Sequence, residues 1–600
     1  MSRIPGFPKK FREIRRNRDK HSEQMTGLYS TILRHRAWLV LFLLLLFVGA
    51  VRLRLLDMPL ERDEGEYAYS GQLILQGIPP YKMAYNLKFP GIYATYALIM
   101  LLFGQSAAGI HFGLLVVNLC SIILVFFLGR RLLDLNGGLV AATTFALLSL
   151  SVSVLGLAAH ASHFVVLAAL GGTWLLLRTT GPRDVPARSS PEGARGLAGL
   201  VSSEPAPASN VQAPVLFASG ALFGVAFLMK QPGIFWGIFG LLYLAFINFK
   251  DHRDPKTVRS SSARLRPVDW KKGLRRCAWY CLGLLTPFLL MCLALRSAGV
   301  FDRFLFWTFT YAREYASVNP LLKIPNAELQ LSFRAVFGPN LALWLLALLG
   351  AVLMWWEARL QDRRLFIAGF CFVSLLAVCP GWYFRQHYFV FLLPAIALLA
   401  GIAVNRGLYL LRHDRTIELF LAVPLLGLFV VGLGASIIGN GSVWFELSPA
   451  AACRECYRYQ MFPEDADVGQ YIKTHAGPGT RVAVLGSEPE IYFYARRHSA
   501  TGYIYTYPLM ELHKYASKMQ DEMIREIETA RPDYLVFVKV DESWLMREQS
   551  DRKILDWYDQ YSKTNYDLVR VIKESDDEMG KTDPLAGRTP GLLLLFERKR

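Results

Sequence analysis

The chain has 600 residues, of which 53% are hydrophobic and 19% charged, with a formal net charge of +18. Its apolar residues come in blocks of about 17 to 25, the length that crosses a hydrocarbon core of about 30 Å, which excludes a water-soluble enzyme and a disordered chain. The positive charge is gathered in a few loops, as expected for retention beside an anionic inner leaflet, and not on the folded basic face that nucleic-acid binding needs.

Residues 1–36 form a basic tail with ten Lys or Arg. The first apolar block lacks a small-residue cleavage site, so it is expected to stay as a helix. In chain order the expected spans are 37–56, 109–129, 138–158, 164–178, 213–229, 233–249, 277–295, 340–356, 365–380, 388–404 and 416–438. Residues 250–276 hold ten more Lys or Arg, and GRRLL (129–133), ARLQDRR (358–364) and NRGLYLLRHDR (405–415) fall on the same side of this count. Cytoplasmic loops are enriched in such residues, so the N-terminus is expected inside and the sparse alternate loops outside. These expectations describe a mainly α, multi-pass protein of the cytoplasmic (inner) membrane.

The outer loop 57–108 carries ERDEGEYAY, with Asp63 and Glu64 adjacent and Lys88 further on. Charges are costly at a membrane edge, so a carboxylate pair there points to chemistry. Its bland alternative is a pair at a helix N-terminus, favoured by the dipole. Tyr67, Ile74, Leu75 and Ile78 share one stripe of an interfacial helix. The run PGIYATYALIMLLFG (90–104) is too short to span, and spanning would invert every later loop, so it is expected along the outer interface.

Residues 179–212 are rich in Pro, Ala, Ser and Gly with few large apolar groups and are expected to form a disordered cytoplasmic loop. From 439 to 600 the texture is that of a soluble α/β domain, which eleven spans place outside. RVAVLG (481–486), YLVFVK (534–539) and LLLLFERK (592–599) read as strands, and PLMELHKYASKMQDEMIREIETA (508–530) as a helix. Glu488 and Glu490 in GSEPE sit at an expected helix start, and no GxGxxG or Walker pattern supports a nucleotide site. Six of the eight cysteines lie in or beside apolar spans, as packing residues. Cys453 and Cys456 form CREC in the outer region, where a local disulfide, an unpaired structural role and a redox or metal role all remain open.

The order of these features resembles the GT-C glycosyltransferases: an inner tail, one span, an outer loop with DE before an interfacial helix, LKFPGIYATYALIMLLFG, then GRRLL after the next span. Within them it is most similar to the protein O-mannosyltransferase group (family 39-like) that includes the aminoarabinose transferases, over roughly residues 37–405. The resemblance implies a membrane glycosyltransferase that uses a sugar on a polyprenyl phosphate, so no nucleotide site is required. The partners it implies are the bilayer, the lipid-linked donor, and a protein, lipid or glycan acceptor. It implies Asp63 as the general base, with Glu64 as its orienting partner. It places Lys88, against the alternative of a snorkelling lysine, and Lys230 in FLMKQPG, against a plain helix-end anchor, on the donor phosphate.

In PGWYFRQHYFVFLLP, Arg385 is the permanent cation of its loop and offers a planar fork for phosphate. His387 and Tyr388 beside it can line the substrate path or belong to an interfacial aromatic belt. Where many relatives carry an acidic residue in the second outer loop, this chain has GLAAHASHFVVL, with His160 and His163, at i and i+3, able to share a metal, to bind substrate or phosphate, or to sit at the interface. Some relatives carry a divalent metal and others do not, and no metal or other cofactor is assigned. Tyr311 and Arg313, in the aromatic segment 304–317, can line the donor path or pack. The alternative reading is a lipid-linked saccharide transporter, but transporters place charges near the midplane and show repeats, whereas here the charges gather at one interface and no repeat is found. A third reading, a structural scaffold, leaves the DE motif and Lys88 without a reason.

Overall fold

The computed structural model describes residues 35–180, 209–250, 270–317, 327–411, 416–458, 460–574 and 590–600. Nearly all of the basic tail, the loop expected to be disordered between Thr180 and Ser209, and most of the basic stretch 250–276 lie outside the described residues. Among the described residues nine helices are long and apolar enough to cross a membrane. The chain is a multi-pass membrane protein.

The first two-fifths of the membrane region carry Asp63, Lys88 and His160. They comprise α1 (His35–Arg54), α2 (Arg62–Leu75), α3 (Pro90–Phe103), α4 (Ala107–Leu132), α5 (Leu135–Leu150) and α6 (Ala161–Thr180). At 14 residues α3 is too short to cross, as expected, and it packs on α2. Leu98, Leu101 and Leu102 on α3 stay exposed, while Ile92, Tyr93 and Tyr96 are buried.

Two expected spans are shorter than the sequence suggested. The segment 138–158 is helical only to Leu150 in this part, because Ser151 and Ser153 divert the backbone. The Ser151 hydroxyl accepts from Ser153 N (3.2 Å), Asn440 Oδ1 accepts from Val152 N (2.9 Å), and Leu155 takes a left-handed φ of 51°. Serine hydroxyls offer the backbone such alternatives to a helix. Buried Arg52 satisfies the freed carbonyls, donating to Ser149 O (3.2 Å) and Gly156 O (2.9 Å) and to Asn118 Oδ1 (3.0 Å). The segment 365–380 likewise stops at Leu376 after 13 residues, ahead of Pro380 and of Gly381 at φ 74°.

After helix Thr416–Gly441 the chain enters a small α/β unit. Its strands are β1 (Arg481–Leu485), β2 (His498–Ser499), β3 (Tyr534–Lys539), β4 (Tyr566–Lys573) and β5 (Leu592–Arg598), in the order β2-β1-β3-β5-β4. β1 pairs parallel with β2 and β3, and β5 runs antiparallel to β3 and β4. The expected strands are β1, β3 and β5, and the helix expected over 508–530 is a short turn Tyr507–Met510 followed by Ala516–Ala530. β2 has two residues, and β4 is a mostly exposed edge strand without a buried face, so neither carries an alternating signal.

This unit sits directly on α2. Helix Glu490–Ala495 packs so close that a Cβ on Gly65 would lie 2.6 Å from Glu490 Cβ, which requires glycine. Tyr494 accepts at its hydroxyl from Leu60 N (2.9 Å), and Tyr69 from Ser499 N (2.8 Å).

The start of α2 is fixed by a reciprocal cap. Glu61 Oε1 accepts from Glu64 N (3.0 Å), and Glu64 Oε2 accepts from Glu61 N (3.2 Å). The other Glu64 oxygen contacts His111 Nε2 on α4 (3.0 Å) and accepts from Ala159 N (2.5 Å). One fully buried carboxylate thus ties α2, α4 and the turn before α6 together. Removing one member of a buried charged pair costs about 3–5 kcal/mol. Glu64→Ala is therefore expected to lower the melting temperature by several degrees in a detergent thermal-shift assay, and an unchanged melting temperature would refute the assignment.

Candidate active site

The first turn of α2 carries its side chains into a cavity of about 430 Å³. Glu61, Arg62, Asp63, His160, Arg385 and His387 line one wall, and Tyr457, Gln460, Phe462 and Tyr507 line the wall contributed by the C-terminal unit. Leu331 and Ala335, on helix Ala327–Phe337, border it as well.

Asp63 is the centre of the charged groups. Lys88 Nζ donates to Asp63 Oδ1 (2.6 Å) and to Glu66 Oε2 (2.7 Å), and lies 4.6 Å from the centroid of the Tyr67 ring. Glu66 is fully buried and also accepts from Tyr93 Oη (2.5 Å). The second Asp63 oxygen, Oδ2, faces His160 Nδ1 and His387 Nε2, each at 3.9 Å. The two imidazoles stack, with centroids 4.2 Å apart and planes 14° from parallel. Burial pushes the Asp63 carboxyl up, but Lys88, His387 and His160 outweigh it and hold it well below the usual carboxylate range. Burial lowers His160 to about 4 and pushes His387 well below the usual imidazole range, so both rings are neutral at pH 7. Glu61 goes the other way, pushed well above its usual range by burial and by Asp63 and Glu64 beside it.

The other expected residues divide clearly. Arg385 lines the cavity, its guanidinium 5.5 Å from the Tyr383 ring centroid. It is presented by a non-helical stretch in which Trp382 and Phe384 take positive φ of 55° and 45°. Lys88 and Lys230 are not among the lining residues. The Lys230 ammonium stands 4.0 Å from the Tyr388 ring centroid, and burial lowers it to about 7. Glu64 faces His111 and Ala159 N, and among the described residues no hydrogen bond joins its side chain to that of Asp63. His163 is buried in α6 with its Nε2 unpartnered and is not part of the Asp63 group. Tyr311 donates to Glu511 Oε2 (2.6 Å) in a separate aromatic cluster, and Arg313 is exposed; neither lines the cavity. Cys453 and Cys456 lie one turn apart on helix Pro449–Cys456 and are not bonded to each other.

The sequence reading missed Glu61, Glu66 and the whole C-terminal wall. Glu66 had a usable signal: it stands three residues after Asp63, the spacing that places two side chains on one helical face for a single cation to bridge. Nothing local marks Tyr457, Gln460 or Tyr507, which reach the cavity only through the docking of the C-terminal unit.

Asp63, His160 and His387 each offer one ligand atom, and these atoms lie within 4.8 Å of one another. Two imidazoles and a carboxylate are donors that suit zinc or a similar divalent cation. The fit is supported by His160 Nδ1, which is buried without a hydrogen-bond partner.

No protein-family model matches the chain, and no curated protein matches it. Solved structures do. ArnT from Cupriavidus metallidurans bound to undecaprenyl phosphate is similar to it with a TM-score of 0.52 at 14% identity, over 93% of this chain and 98% of that one. Its apo form gives 0.51 at 14% identity, over 94% and 98%. The fold is GT-C-like. The archaeal oligosaccharyltransferase AglB from Archaeoglobus fulgidus, in complex with an inhibitory peptide and a dolichol-phosphate, gives 0.46 at 13% identity, over 85% and 70%. For this GT-C-like chain the cation fit has a direct check. Protein dialysed against zinc and analysed by plasma mass spectrometry is expected to hold about one equivalent, which His387→Ala should lose. Equal zinc in both proteins would remove the three residues as a metal centre.

Proposed function

We propose that the chain is a membrane glycosyltransferase that moves a sugar from a polyprenyl-phosphate donor to an acceptor hydroxyl on the outer face of the membrane, with inversion. One observation carries this reading: a half-buried carboxylate, Asp63, on a cavity wall, with Lys88 on one oxygen and two imidazoles 3.9 Å from the other. The likeness in fold to ArnT, crystallised with undecaprenyl phosphate, supports the donor class. The acceptor is a protein, lipid or glycan hydroxyl.

In the proposed step the acceptor oxygen attacks the anomeric carbon while its proton passes to Asp63 Oδ2. The bond from that carbon to the phosphate oxygen breaks, and its electron pair leaves with the polyprenyl phosphate. A positioned base contributes typically about 10²–10⁴ in rate, and cations stabilise the departing charge. Arg385 on the cavity wall, Lys88 and Lys230 are the cations available to it. At rest Lys88 weakens Asp63 as a base by holding it ionised. A donor phosphate competes for the same ammonium, so its arrival would leave Asp63 with less counter-charge and a higher proton affinity. Donor binding and activation of the base then become one event.

Asp63→Asn is expected to lower sugar transfer about 10²-fold or more, with donor binding by calorimetry retained. Lys88→Ala and Arg385→Ala should each weaken donor affinity or turnover about tenfold or more, since a charge-assisted contact contributes about 1.5–3 kcal/mol. Near-normal transfer by Asp63→Asn would return the DE motif to a helix cap.

The outer placement of the cavity follows from the Lys and Arg asymmetry of the loops. In a cysteine-free background, Ser517→Cys on the C-terminal unit should react with an impermeant maleimide in intact spheroplasts, and Gln361→Cys only after lysis; both positions are exposed. The reverse labelling would put the cavity on the wrong side for this donor.

A further inference from the structure

Arg62, between Glu61 and Asp63, was assigned nothing by the sequence, yet it is the most heavily engaged cation of the cavity wall. Its Nε donates to Ser487 O (2.5 Å), one Nη to Tyr507 Oη (2.5 Å), and the other to Gln460 Oε1 (2.9 Å) and Glu488 Oε1 (2.8 Å). All four acceptors belong to the C-terminal unit and come from three separate segments of it. The guanidinium also lies over the rings of Phe462 and Tyr507, at 5.8 Å and 5.5 Å.

The acceptors are themselves held. Ser543 Oγ donates to Glu488 Oε2 (2.8 Å), Ser487 Oγ donates to Ser543 O (2.6 Å), and Thr506 Oγ1 donates to the same carbonyl (2.9 Å). Ser487, Ser543 and Thr506 are fully buried, so this is a rigid receptor for a planar fork. Tyr505 Oη donates to Arg62 O (3.0 Å) and reaches Asp63 Oδ1 at 3.4 Å, adding a fifth contact at the neighbouring residue.

We infer that Arg62 is a positioning residue, through which the C-terminal unit sets the Asp63 carboxylate against Lys88. Arg62 and Asp63 are consecutive on the first turn of α2, so gripping one fixes the rotation and height of the other. The contact at Gly65 stops the same turn from moving toward the C-terminal unit, and Arg62 stops it from moving away. The inference rests on Asp63 being the base, but its geometry can be read without transfer.

The test uses Arg62→Lys in the full chain, which keeps a charge for Glu488 but cannot span four acceptors, alongside Arg62→Ala. One readout is the rate of reductive methylation of Lys88, followed by mass spectrometry. It should rise severalfold in Arg62→Ala and less in Arg62→Lys, as the Asp63 partner shifts. The second is steady-state transfer, where turnover should fall about tenfold in Arg62→Lys with donor dissociation constant unchanged, the pattern of lost transition-state alignment. Unchanged Lys88 reactivity in Arg62→Lys, or a loss confined to donor affinity, overturns the inference. Altered Lys88 reactivity in a protein whose wild type transfers no sugar would leave the positioning role standing and sink the transferase reading alone.

Discussion

A single ammonium group holds the charged centre together. Between residues 61 and 66 the chain places four carboxylates within little more than one helical turn, all buried or nearly so. Such a cluster is stable only if each member has a partner, because an uncompensated buried charge costs several kcal/mol. Lys88 serves two of them at once, Asp63 and Glu66, from a segment more than twenty residues away. Glu61 and Glu64 cap each other's backbone, and Glu64 turns its second oxygen to His111 and Ala159 N. Asp63 is left with Lys88 on one oxygen and the His160 and His387 rings 3.9 Å from the other.

Irregular backbone supplies the rest. His160 arrives on a turn that interrupts an apolar segment, and Arg385 on a stretch with two aromatic residues in left-handed conformations. Non-helical backbone among membrane helices is tolerated only where its polar groups find partners within the protein. Arg52 and Asn440 do this for the first turn. The packing of α5 and of α6 on α4 then holds the histidine where the chain would otherwise have continued as helix.

Much of this was legible in the sequence, and the divisions have physical causes. Long apolar blocks report burial in lipid directly, so the membrane architecture and the shortness of α3 could be read. The DE motif and Lys88 stood out because charge is rare at a membrane edge. The early end of the span 138–158 was hidden, because a serine-rich stretch is apolar enough on average to pass for helix while its hydroxyls redirect the backbone. Glu64, read from the sequence as the orienting partner of Asp63, turns instead to His111 and Ala159 N, because adjacent residues on a helix point about 100° apart. The residues of the C-terminal wall were hidden for a different reason. Their importance lies in a contact between distant parts of the chain, and no local pattern encodes it.

That distance bears on how the protein is made. Arg62 and Glu488 are 426 residues apart, so at synthesis rates of about 5–20 residues per second the acidic turn is exposed for tens of seconds before its receptor exists. During that interval α2 has Lys88 and the early helices but no cover, and its carboxylates must remain in water. The nascent chain thus passes through a stage in which the membrane helices are in place and the cavity has only one wall, and closure waits for the last quarter of the polypeptide to fold and dock.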